Sequence, residues 1–479
     1  MIRVICNQET FVYNAYHMVK AFYPSETVTS SVDEKASNYV TVEFAEDGTD
    51  GQKEAMIEIA DRQTNDMPAE KSAMKKYLDR MLYKKLSEQS GRTLAWGILM
   101  GVRPTKIAMR KLEEGMTQET FVPWFQKENL VSEEKAHLAW QIAGREKKLL
   151  DQLDYENGYS LYVGIPFCPT VCSYCSFSSG ALGDWEHRVE DYLAALMKEL
   201  EAIAKMSEGR KADTIYMGGG TPTTLNADQL DRLLTCIDRH FVREGLLEFT
   251  VEAGRPDSIT KEKLQVLRNH GINRISINPQ TMKEETLRLI GRQHTVQQTI
   301  DSFKLAREVG FDNINMDLIV GLPGEDRKMV EHTLDEVKAL APDSVTVHSL
   351  AVKRAARLNI FKDRYQEMTF ENNQEIMDMT MRTAYEMGMG PYYLYRQKNM
   401  KGNFENVGYS EVDKAGIYNI LIMEEKQPII ALGAGGSSKL VFDHGQRIER
   451  VENVKDVTNY ITRIDEMIER KREGITKWL

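Results

Sequence analysis

The chain has 479 residues, of which 42% are hydrophobic, and its formal net charge is −10. A chain of this length exceeds the size of one hydrophobic core, so two or three domains are expected. The acidic balance argues against binding to nucleic acid, whose phosphates need clustered Lys and Arg, and against docking on anionic lipid. The composition favours a soluble enzyme.

The chain termini and the cysteines indicate the compartment. No stretch approaches the about 18 continuous apolar residues of a membrane span, and the first residues, MIRVICNQETF, lack the long apolar region of a signal peptide. The five cysteines are too few for a disulfide scaffold, and three of them lie between Cys168 and Cys175, leaving Cys6 and Cys236 apart. We therefore expect a cytoplasmic protein with a metal site.

Residues 1–150 are predicted to form an N-terminal α+β module, whose role the sequence does not indicate. The strand-like runs RVIC, YVTVEFA and AMIEIA come first. Helical patterns follow, among them KSAMKKYLDRMLYKKLSEQ and EEKAHLAWQIAGREKKLL.

Residues 155–355 alternate brief apolar runs with long amphipathic helical patterns. The runs are LYVGI, DTIYMGG, EFTVEA, RISIN, INMDLIV and SVTVHSL. Strands joined through helices predict an α/β fold with a parallel sheet, here a partial (β/α)6 TIM-like barrel. In such sheets the chemistry lies at the C-terminal strand ends, which is where the polar and Gly-rich motifs fall.

Residues 356–479 are predicted to form a C-terminal α+β extension that serves as a substrate or lid region. A helix is expected near 371–386. The strand-like runs YNILIME and PIIALGAG follow, and a charged helix ends the chain.

The first barrel strand leads into LYVGIPFCPTVCSYCSF, which places Cys168, Cys172 and Cys175 in a C-x3-C-x2-C pattern. Three thiolates can hold three irons of a [4Fe–4S] cluster and leave the fourth iron open. S-adenosylmethionine (SAM) can chelate that iron, and its reductive cleavage gives a 5'-deoxyadenosyl radical. A zinc site is the alternative, but no second cysteine pair follows at zinc spacing.

Several polar residues at later strand ends are candidates for SAM binding. MGGGTPT can bring backbone close to a ligand or be a plain tight turn. Glu252 can accept from a ribose or an ammonium group, or be an ordinary solvated carboxylate. Gln280 and Arg292 suit a carboxylate or ribose, although Arg292 is equally explained as a surface residue. Asp317, inside an apolar strand, needs a partner or a function.

Together, YVGIPFCPTVCSYCSF, MGGGTPT, VEAGRP, SINPQTM, GRQHT and MDLIVGLPG resemble the radical SAM family, in its branch of oxygen-independent coproporphyrinogen III oxidase. The segments WGILMGVRPTKI and PYYLYRQKNMKGNFENVGYS are most similar to its coproporphyrinogen dehydrogenase subgroup, which has a longer N-terminal region. The resemblance implies that the cluster and SAM are the cofactors and that no other catalytic residue is required. It implies SAM contacts from Tyr162, Tyr174, Gly219, Gly220, Thr221, Glu252, Gln280, Arg292 and Asp317.

The resemblance implies oxidative decarboxylation of coproporphyrinogen III to protoporphyrinogen IX in heme biosynthesis, with reduced ferredoxin or flavodoxin as electron donor. Two departures from the family pattern are Phe177, where the better-known oxidases have a fourth cysteine, and the lack of their N-terminal substrate arm. A heme-binding chaperone of the same fold is one alternative, but its late signature is only partly matched, at Glu405, Asn406 and Tyr409, which weakens this alternative. An anaerobic heme-degrading radical SAM methyltransferase is another.

A tetrapyrrole with four propionates needs cationic clamps in a wide pocket. The candidates in the sequence are Arg103, Lys106, Lys353, Arg354 and Arg396. Each is also explained as a solvated or ion-paired surface residue.

Overall fold

A computed structural model describes residues 1–45, 53–61, 68–101, 103–155, 157–177, 179–241, 243–351, 356–360, 372–396 and 403–478. The chain divides into two compact units, one of Met1–Gly144 with Tyr395–Glu405 and one of Arg145–Leu394 with Asn406–Leu479. Among the helices of the described ranges, none combines the length and the apolar character needed to cross a bilayer.

The first unit contains a four-stranded sheet in the order β2-β1-β3-β4. β1 pairs in parallel with β2 and antiparallel with β3, so that Val4 lies opposite Val42. The three predicted strands are confirmed. The strands are β1 (Ile2–Cys6), β2 (Val28–Val32), β3 (Asn38–Ala45) and β4 (Lys53–Asp61), and the helices are α1 (Glu9–Phe22), α2 (Lys71–Ser90), α3 (Thr105–Glu113), α4 (Gln118–Asn129) and α5 (Glu133–Leu150), whose last residues belong to the second unit.

The second unit is built on an eleven-stranded sheet in the order β13-β14-β12-β11-β10-β9-β8-β5-β15-β16-β17. Its strands are β5 (Gly158–Ile165), β8 (Lys211–Gly219), β9 (Glu248–Glu252), β10 (Arg274–Ser276), β11 (Ile314–Val320), β12 (Ser344–Ser349), β13 (Gly390–Tyr395), β14 (Asn406–Ser410), β15 (Ile429–Leu432), β16 (Ser437–Phe442) and β17 (Arg447–Glu452). A separate two-stranded sheet pairs β6 (Phe167–Cys168) with β7 (Gly180–Ala181). The helices of the second unit are α6 (Leu182–Trp185), α7 (Val189–Met206), α8 (Ala227–His240), α9 (Lys261–Asn269), α10 (Glu284–Leu289), α11 (Val296–Val309), α12 (Arg327–Leu340), α13 (Arg357–Ile360), α14 (Gln374–Glu386), α15 (Ile417–Glu424), α16 (Val457–Thr462) and α17 (Ile464–Trp478).

The six strands predicted for the barrel, β5 and β8 to β12, are neighbours in the sheet and run parallel. They are almost continuously buried, as expected for a parallel sheet covered on both faces, and this is why their sequences read as apolar runs without alternation. The partial (β/α)6 barrel is therefore confirmed.

The chain after the barrel adds strands to both edges of the same sheet. β15 pairs in parallel with β5, placing Ala431 opposite Tyr162, and β14 pairs antiparallel with β12. The strand predicted at PIIALGAG is confirmed, whereas the strand-like reading of YNILIME is wrong, because these residues form α15. The division into three domains by role stays a prediction.

A buried ion pair holds the C-terminal helices against the barrel. Glu199 of α7 and Lys471 of α17 are both essentially inaccessible, and Lys471 Nζ lies 2.5 Å from Glu199 Oε1. Glu199 Oε2 also accepts hydrogen bonds from the Gly433 amide (2.9 Å) and the Tyr460 hydroxyl (2.6 Å). These donors compensate the buried charge of Glu199, and the bond from the Gly433 amide ties the glycine turn that follows β15 to α7.

Candidate iron–sulfur and cofactor site

The three cysteines of the C-x3-C-x2-C pattern lie in the loop that leaves the C-terminal end of β5. Cys172 is 8% exposed, and Cys168 and Cys175 are half-buried. Burial raises the pKa of the Cys175 thiol, and the nearby Cys172 and Cys168 sulfurs raise that pKa further. Burial likewise raises the pKa of Cys168.

Two donors point at the sulfur atoms. The Thr221 hydroxyl donates to Cys168 Sγ at 3.6 Å, and Arg255 Nη1 donates to Cys172 Sγ at 3.7 Å. Hydrogen bonds of this kind stabilise thiolate over thiol, so both contacts favour the ionised form that binds iron.

Arg255 also holds the backbone of the cysteine loop. Its guanidinium donates to the Thr170 carbonyl (3.0 Å) and hydroxyl (3.1 Å), and it forms a two-pronged ion pair with Asp257 at 3.0 and 2.8 Å. A planar guanidinium can make all of these bonds at once because its donors are fixed in a fork. Arg255 therefore ties the end of β9 to the loop that carries Cys172.

The rest of the loop is anchored to the chain after α10. The Ser173 amide donates to the Ile290 carbonyl at 2.9 Å, and the Thr170 hydroxyl donates to the Gly291 carbonyl at 3.1 Å. Arg292 is 6% exposed and donates to the Tyr174 hydroxyl at 3.3 Å, so the surface interpretation of Arg292 is wrong.

The three thiols are not arranged as the ligands of a single zinc ion. Tetrahedral zinc with four thiolates would place sulfur atoms about 3.8 Å apart, from Zn–S bonds of about 2.3 Å. Among the described residues, the sulfur atoms of Cys168, Cys172 and Cys175 do not all lie within 4.8 Å of one another. The three thiols therefore do not present the compact ligand set of a single tetrahedral zinc ion.

The glycine turn after β8 lies against the cysteine loop. The Gly220 and Thr221 amides donate to the carbonyls of Ile165 (2.8 Å) and Phe167 (2.7 Å), which border the cysteines. Gly219 has φ +107°, and a Cβ there would lie 3.0 Å from the Tyr162 hydroxyl. A side chain at Gly219 would be strained and would crowd this surface.

A carboxylate and a tyrosine meet beside this turn. The Tyr216 hydroxyl donates to Glu252 Oε1 at 2.6 Å. Burial raises the pKa of Glu252 to about 7; the Tyr216 bond lowers it, and the charge of Asp317 raises it further. The ring of Tyr216 stacks on Tyr162 and Tyr418, with centroids 6.2 and 4.5 Å away. Glu252 is therefore not an ordinary solvated carboxylate.

Asp317 has the partners that its position in an apolar strand requires. Its Oδ1 accepts from the Asn315 amide at 2.7 Å, and its Oδ2 lies 3.8 Å from His348 Nε2. Burial opposes ionisation, but bonds and charge from His348, with the Asn315 bond, outweigh it and hold the pKa of Asp317 below its usual value. Asp317 and Glu252 are thus two neighbouring carboxyls whose pKa values are shifted in opposite directions.

Gln280 occupies a left-handed backbone conformation, with φ +68°. Its amide and carbonyl bond to the backbone of Asp317 (3.0 Å) and Ile319 (2.9 Å), which fixes it beside β11. Its side-chain Oε1 is buried and has no hydrogen-bond partner among the described residues. A buried amide oxygen in this state is ready to accept from a ligand.

The candidate propionate clamps fall into different regions. Lys353 and Arg354 lie outside the described residues, and Arg103 and Lys106 lie in the first unit. Arg396, also in the first unit, is 4% exposed, and its guanidinium donates to the carbonyls of Leu99 (2.5 Å), Gly101 (3.4 Å) and Asn403 (2.9 Å). Arg396 therefore holds the first unit together and does not serve as the expected propionate clamp.

The structure adds site residues that sequence reasoning missed, namely Arg255, Thr170, Tyr216, Tyr418 and His348. Arg255 had a signal, because it follows Glu252 by three residues in VEAGRP at a strand end. His348 sits near the end of β12 and could have been found by the same rule.

The residues present fit a [4Fe–4S] cluster with SAM. Three thiols are gathered with donors aimed at two of them, a glycine turn with no room for side chains lies alongside, and Gln280 offers an orphaned acceptor. This donor set is the one that such a cluster needs.

Comparison with known proteins gives a family model, described as the radical SAM superfamily, that matches residues 162–337. The "Oxygen-independent coproporphyrinogen-III oxidase-like protein HemZ" of Bacillus subtilis is 41% identical over 94% of this chain and 90% of its own length. The "Heme chaperone HemW" of the same organism is 40% identical over 40% of this chain, which spans about half (51%) of that relative. The solved structure of coproporphyrinogen III oxidase (HemN) from Escherichia coli superposes with a TM-score of 0.53, at 26% identity, covering 67% of this chain and 72% of that one.

Proposed function

Because the chain belongs to the radical SAM superfamily, in its group of oxygen-independent coproporphyrinogen III oxidase-like proteins, we propose that it converts two propionates of coproporphyrinogen III to vinyl groups. The product is protoporphyrinogen IX. The observation that carries the proposal is the match to HemZ, which extends over both units rather than the barrel alone.

The family's cofactors are a [4Fe–4S] cluster and SAM. When bound, they supply a 5'-deoxyadenosyl radical that removes one hydrogen atom from the β-carbon of a propionate. Carbon dioxide then leaves the substrate and one electron passes to an external one-electron acceptor, which completes the vinyl group. This sequence needs no general base, in keeping with a site whose residues bind and shield.

We assign the cluster to Cys168, Cys172 and Cys175, with Thr221 and Arg255 as donors to sulfur. Gly219 and Gly220 suit the amino end of SAM because backbone can approach a ligand there without a side chain intervening. Glu252 and Asp317 suit the hydroxyls and the ammonium group of SAM, and Gln280 and Arg292 suit its carboxylate or ribose. Tyr174 packs beside Arg292 at the cluster loop.

The stacked rings of Tyr162, Tyr216 and Tyr418 have a separate role in this proposal. They are packed centroid to centroid inside the barrel unit and carry their hydroxyls in buried surroundings. The stacked ring faces exclude bulk water from their side of the barrel unit.

Heme delivery is the second candidate, favoured by one observation. The chain is 40% identical to a heme chaperone over 196 residues, and its cysteine loop ends in Cys-x-Phe, at Phe177, an ending that the family resemblance associates with the chaperone group. In this second proposal the protein has the radical SAM fold and its cofactors but does not decarboxylate coproporphyrinogen III.

An anaerobic assay separates the candidates. Cluster-reconstituted protein is supplied with SAM, reduced flavodoxin or ferredoxin and coproporphyrinogen III, and products are followed by mass spectrometry. Protoporphyrinogen IX together with 5'-deoxyadenosine supports the oxidase. A parallel reaction contains heme in place of coproporphyrinogen III. Stable heme binding there, without turnover of coproporphyrinogen III in the first reaction, supports the chaperone, and loss of heme with a methylated linear tetrapyrrole supports a heme-degrading methyltransferase.

A further inference from the structure

We propose that Glu201, Cys236 and His240 form a zinc site that joins α7 to α8, separate from the iron–sulfur site and independent of the proposed function. The three side chains lie on the outer helices of the second unit. None of them takes part in the site described above.

The helical spacing brings two of the three donors together. Cys236 and His240 are four residues apart in α8, so their side chains lie one turn apart on the same face. Glu201 projects from α7, which packs directly against α8. A metal bound here would link two helices that belong to separate βα units of the barrel.

The distances suit one small ion. The three ligand atoms all lie within 4.8 Å of one another, and His240 Nε2 is 3.8 Å from Glu201 Oε1. Zinc bonds of about 2.0–2.2 Å to nitrogen and oxygen put neighbouring tetrahedral ligands about 3.4 Å apart, and a sulfur ligand about 3.6 Å from either. Closing the gap takes side-chain movement of about an ångström, which an exposed glutamate on a helix surface can supply.

The chemistry of the donors selects the metal. One thiolate, one imidazole and one carboxylate form a mixed set of soft, borderline and hard ligands that zinc accepts, whereas Mg²⁺ and Ca²⁺ require oxygen donors alone. Cys236 is 7% exposed, while the Glu201 side chain is 49% exposed. The site is therefore closed on the sulfur side and open on the carboxylate side, where water completes the tetrahedron.

The location separates this site from the cluster. α7 and α8 run back from the C-terminal strand ends, and Glu201, Cys236 and His240 lie in the C-terminal halves of these helices. The ends of such helices lie at the N-terminal edge of the strands, opposite the edge that carries the cysteine loop. The expected role is a clamp between the two helices at the stability face of the barrel.

The test is zinc binding to the full chain after cluster reconstitution, so that Cys168, Cys172 and Cys175 are occupied by iron. Zn²⁺ alone is the probe, titrated anaerobically against a chromophoric chelator, and zinc and iron per chain are measured by elemental mass spectrometry. We expect about one zinc per chain. Cys236→Ser and His240→Ala should each weaken zinc binding by at least about 100-fold, because each removes a direct ligand, and leave iron content unchanged.

Two matched substitutions serve as controls. Cys6→Ser removes a buried cysteine of the first unit, and His332→Ala removes an exposed histidine of α12; neither should change zinc binding. Glu201→Gln, on an exposed side chain that cannot unfold the barrel, should also weaken binding. Zinc binding that is absent in the natural protein, or equal in Cys236→Ser, Glu201→Gln and Cys6→Ser, overturns the site.

A second readout keeps the result independent of the cluster. In the full chain carrying Cys168→Ala, Cys172→Ala and Cys175→Ala, Co²⁺ should give the sulfur-to-cobalt charge-transfer band and the intense visible bands of tetrahedral coordination. Adding Cys236→Ser should abolish the charge-transfer band. A spectrum of octahedral, sulfur-free Co²⁺ in the triple variant contradicts the proposal.

Discussion

Arg255 Nη1 lies 3.7 Å from Cys172 Sγ while the same guanidinium holds the loop through the Thr170 carbonyl and is itself held by Asp257. One buried cation therefore sets both the position of the cysteine loop and the charge around a cluster sulfur. A lysine cannot reproduce this, because it offers a single ammonium in place of a planar fork.

We expect Arg255→Lys to retain less iron and sulfide after reconstitution, and to lower the cluster's reduction potential by removing a donor to sulfur. Iron per chain and a redox titration followed by electron paramagnetic resonance measure the two effects. Arg288→Lys, on an exposed arginine of α10, is the matched control. Equal iron content and equal reduction potential in both variants would show that Arg255 does not act on the cluster.

Gly219→Ala should weaken SAM binding at least about tenfold, because strain at a positive φ costs about 1–3 kcal/mol and the new methyl group would press on the Tyr162 hydroxyl. Equilibrium binding of SAM to reconstituted protein measures this. Gly209→Ala has a similar backbone angle, φ +83°, but open space around it, so it separates strain from crowding. Equal SAM affinity in the two variants would show that the glycine turn does not face the cofactor.

The raised pKa of Glu252 predicts a pH-dependent stability. Between its ordinary pKa of 4.5 and the folded value of about 7, the folded protein keeps a proton that the unfolded chain releases, so stability falls as pH rises through this range. Glu252→Gln removes the cost, and its stabilisation relative to the natural protein should be about 1–2 kcal/mol larger near about pH 8 than near about pH 5.5.

Denaturant unfolding of cluster-free protein at the two pH values measures this difference for Glu252→Gln. Asp335→Asn, on an exposed carboxylate of α12, should show no comparable change. A Glu252→Gln effect that is the same at both pH values would mean that the natural carboxyl is already ionised at the lower one.

Arg396→Ala is expected to destabilise the first unit by about 2–4 kcal/mol, since it strands buried carbonyls that a charged donor now satisfies. The midpoint of thermal unfolding reports this loss. Arg103→Ala tests the propionate clamp that remains a candidate at Arg103. It should raise KM for the tetrapyrrole and leave the unfolding midpoint unchanged. A raised KM with unchanged stability for Arg396→Ala would show that Arg396 is a propionate clamp after all.

The barrel could be predicted because its signals are local. Apolar runs of strand length separated by amphipathic helices specify the parallel order, and C-x3-C-x2-C at the end of the first run specifies the cluster loop. YNILIME was misread as a strand because a short, wholly apolar run has the same appearance in a buried strand and a buried helix, and it forms α15.

The contacts that complete the site could not be predicted, because they join residues far apart in the chain. Arg255 reaches Thr170 across 85 positions, and Glu199 reaches Lys471 across 272. Residue type alone does not distinguish these buried charges from surface ones, and Arg396 shows the reverse error, in which a structural arginine has the appearance of a ligand-binding residue.

The most direct test of the proposed decarboxylation uses coproporphyrinogen III carrying deuterium at the β-carbons of its propionates. The anaerobic reaction is run with reconstituted protein, SAM and reductant, and with Cys172→Ala as the inactive control. We predict protoporphyrinogen IX and 5'-deoxyadenosine that carries the deuterium, with neither product from the variant. Cleavage of SAM that leaves the 5'-deoxyadenosine free of deuterium and the tetrapyrrole unchanged would contradict it.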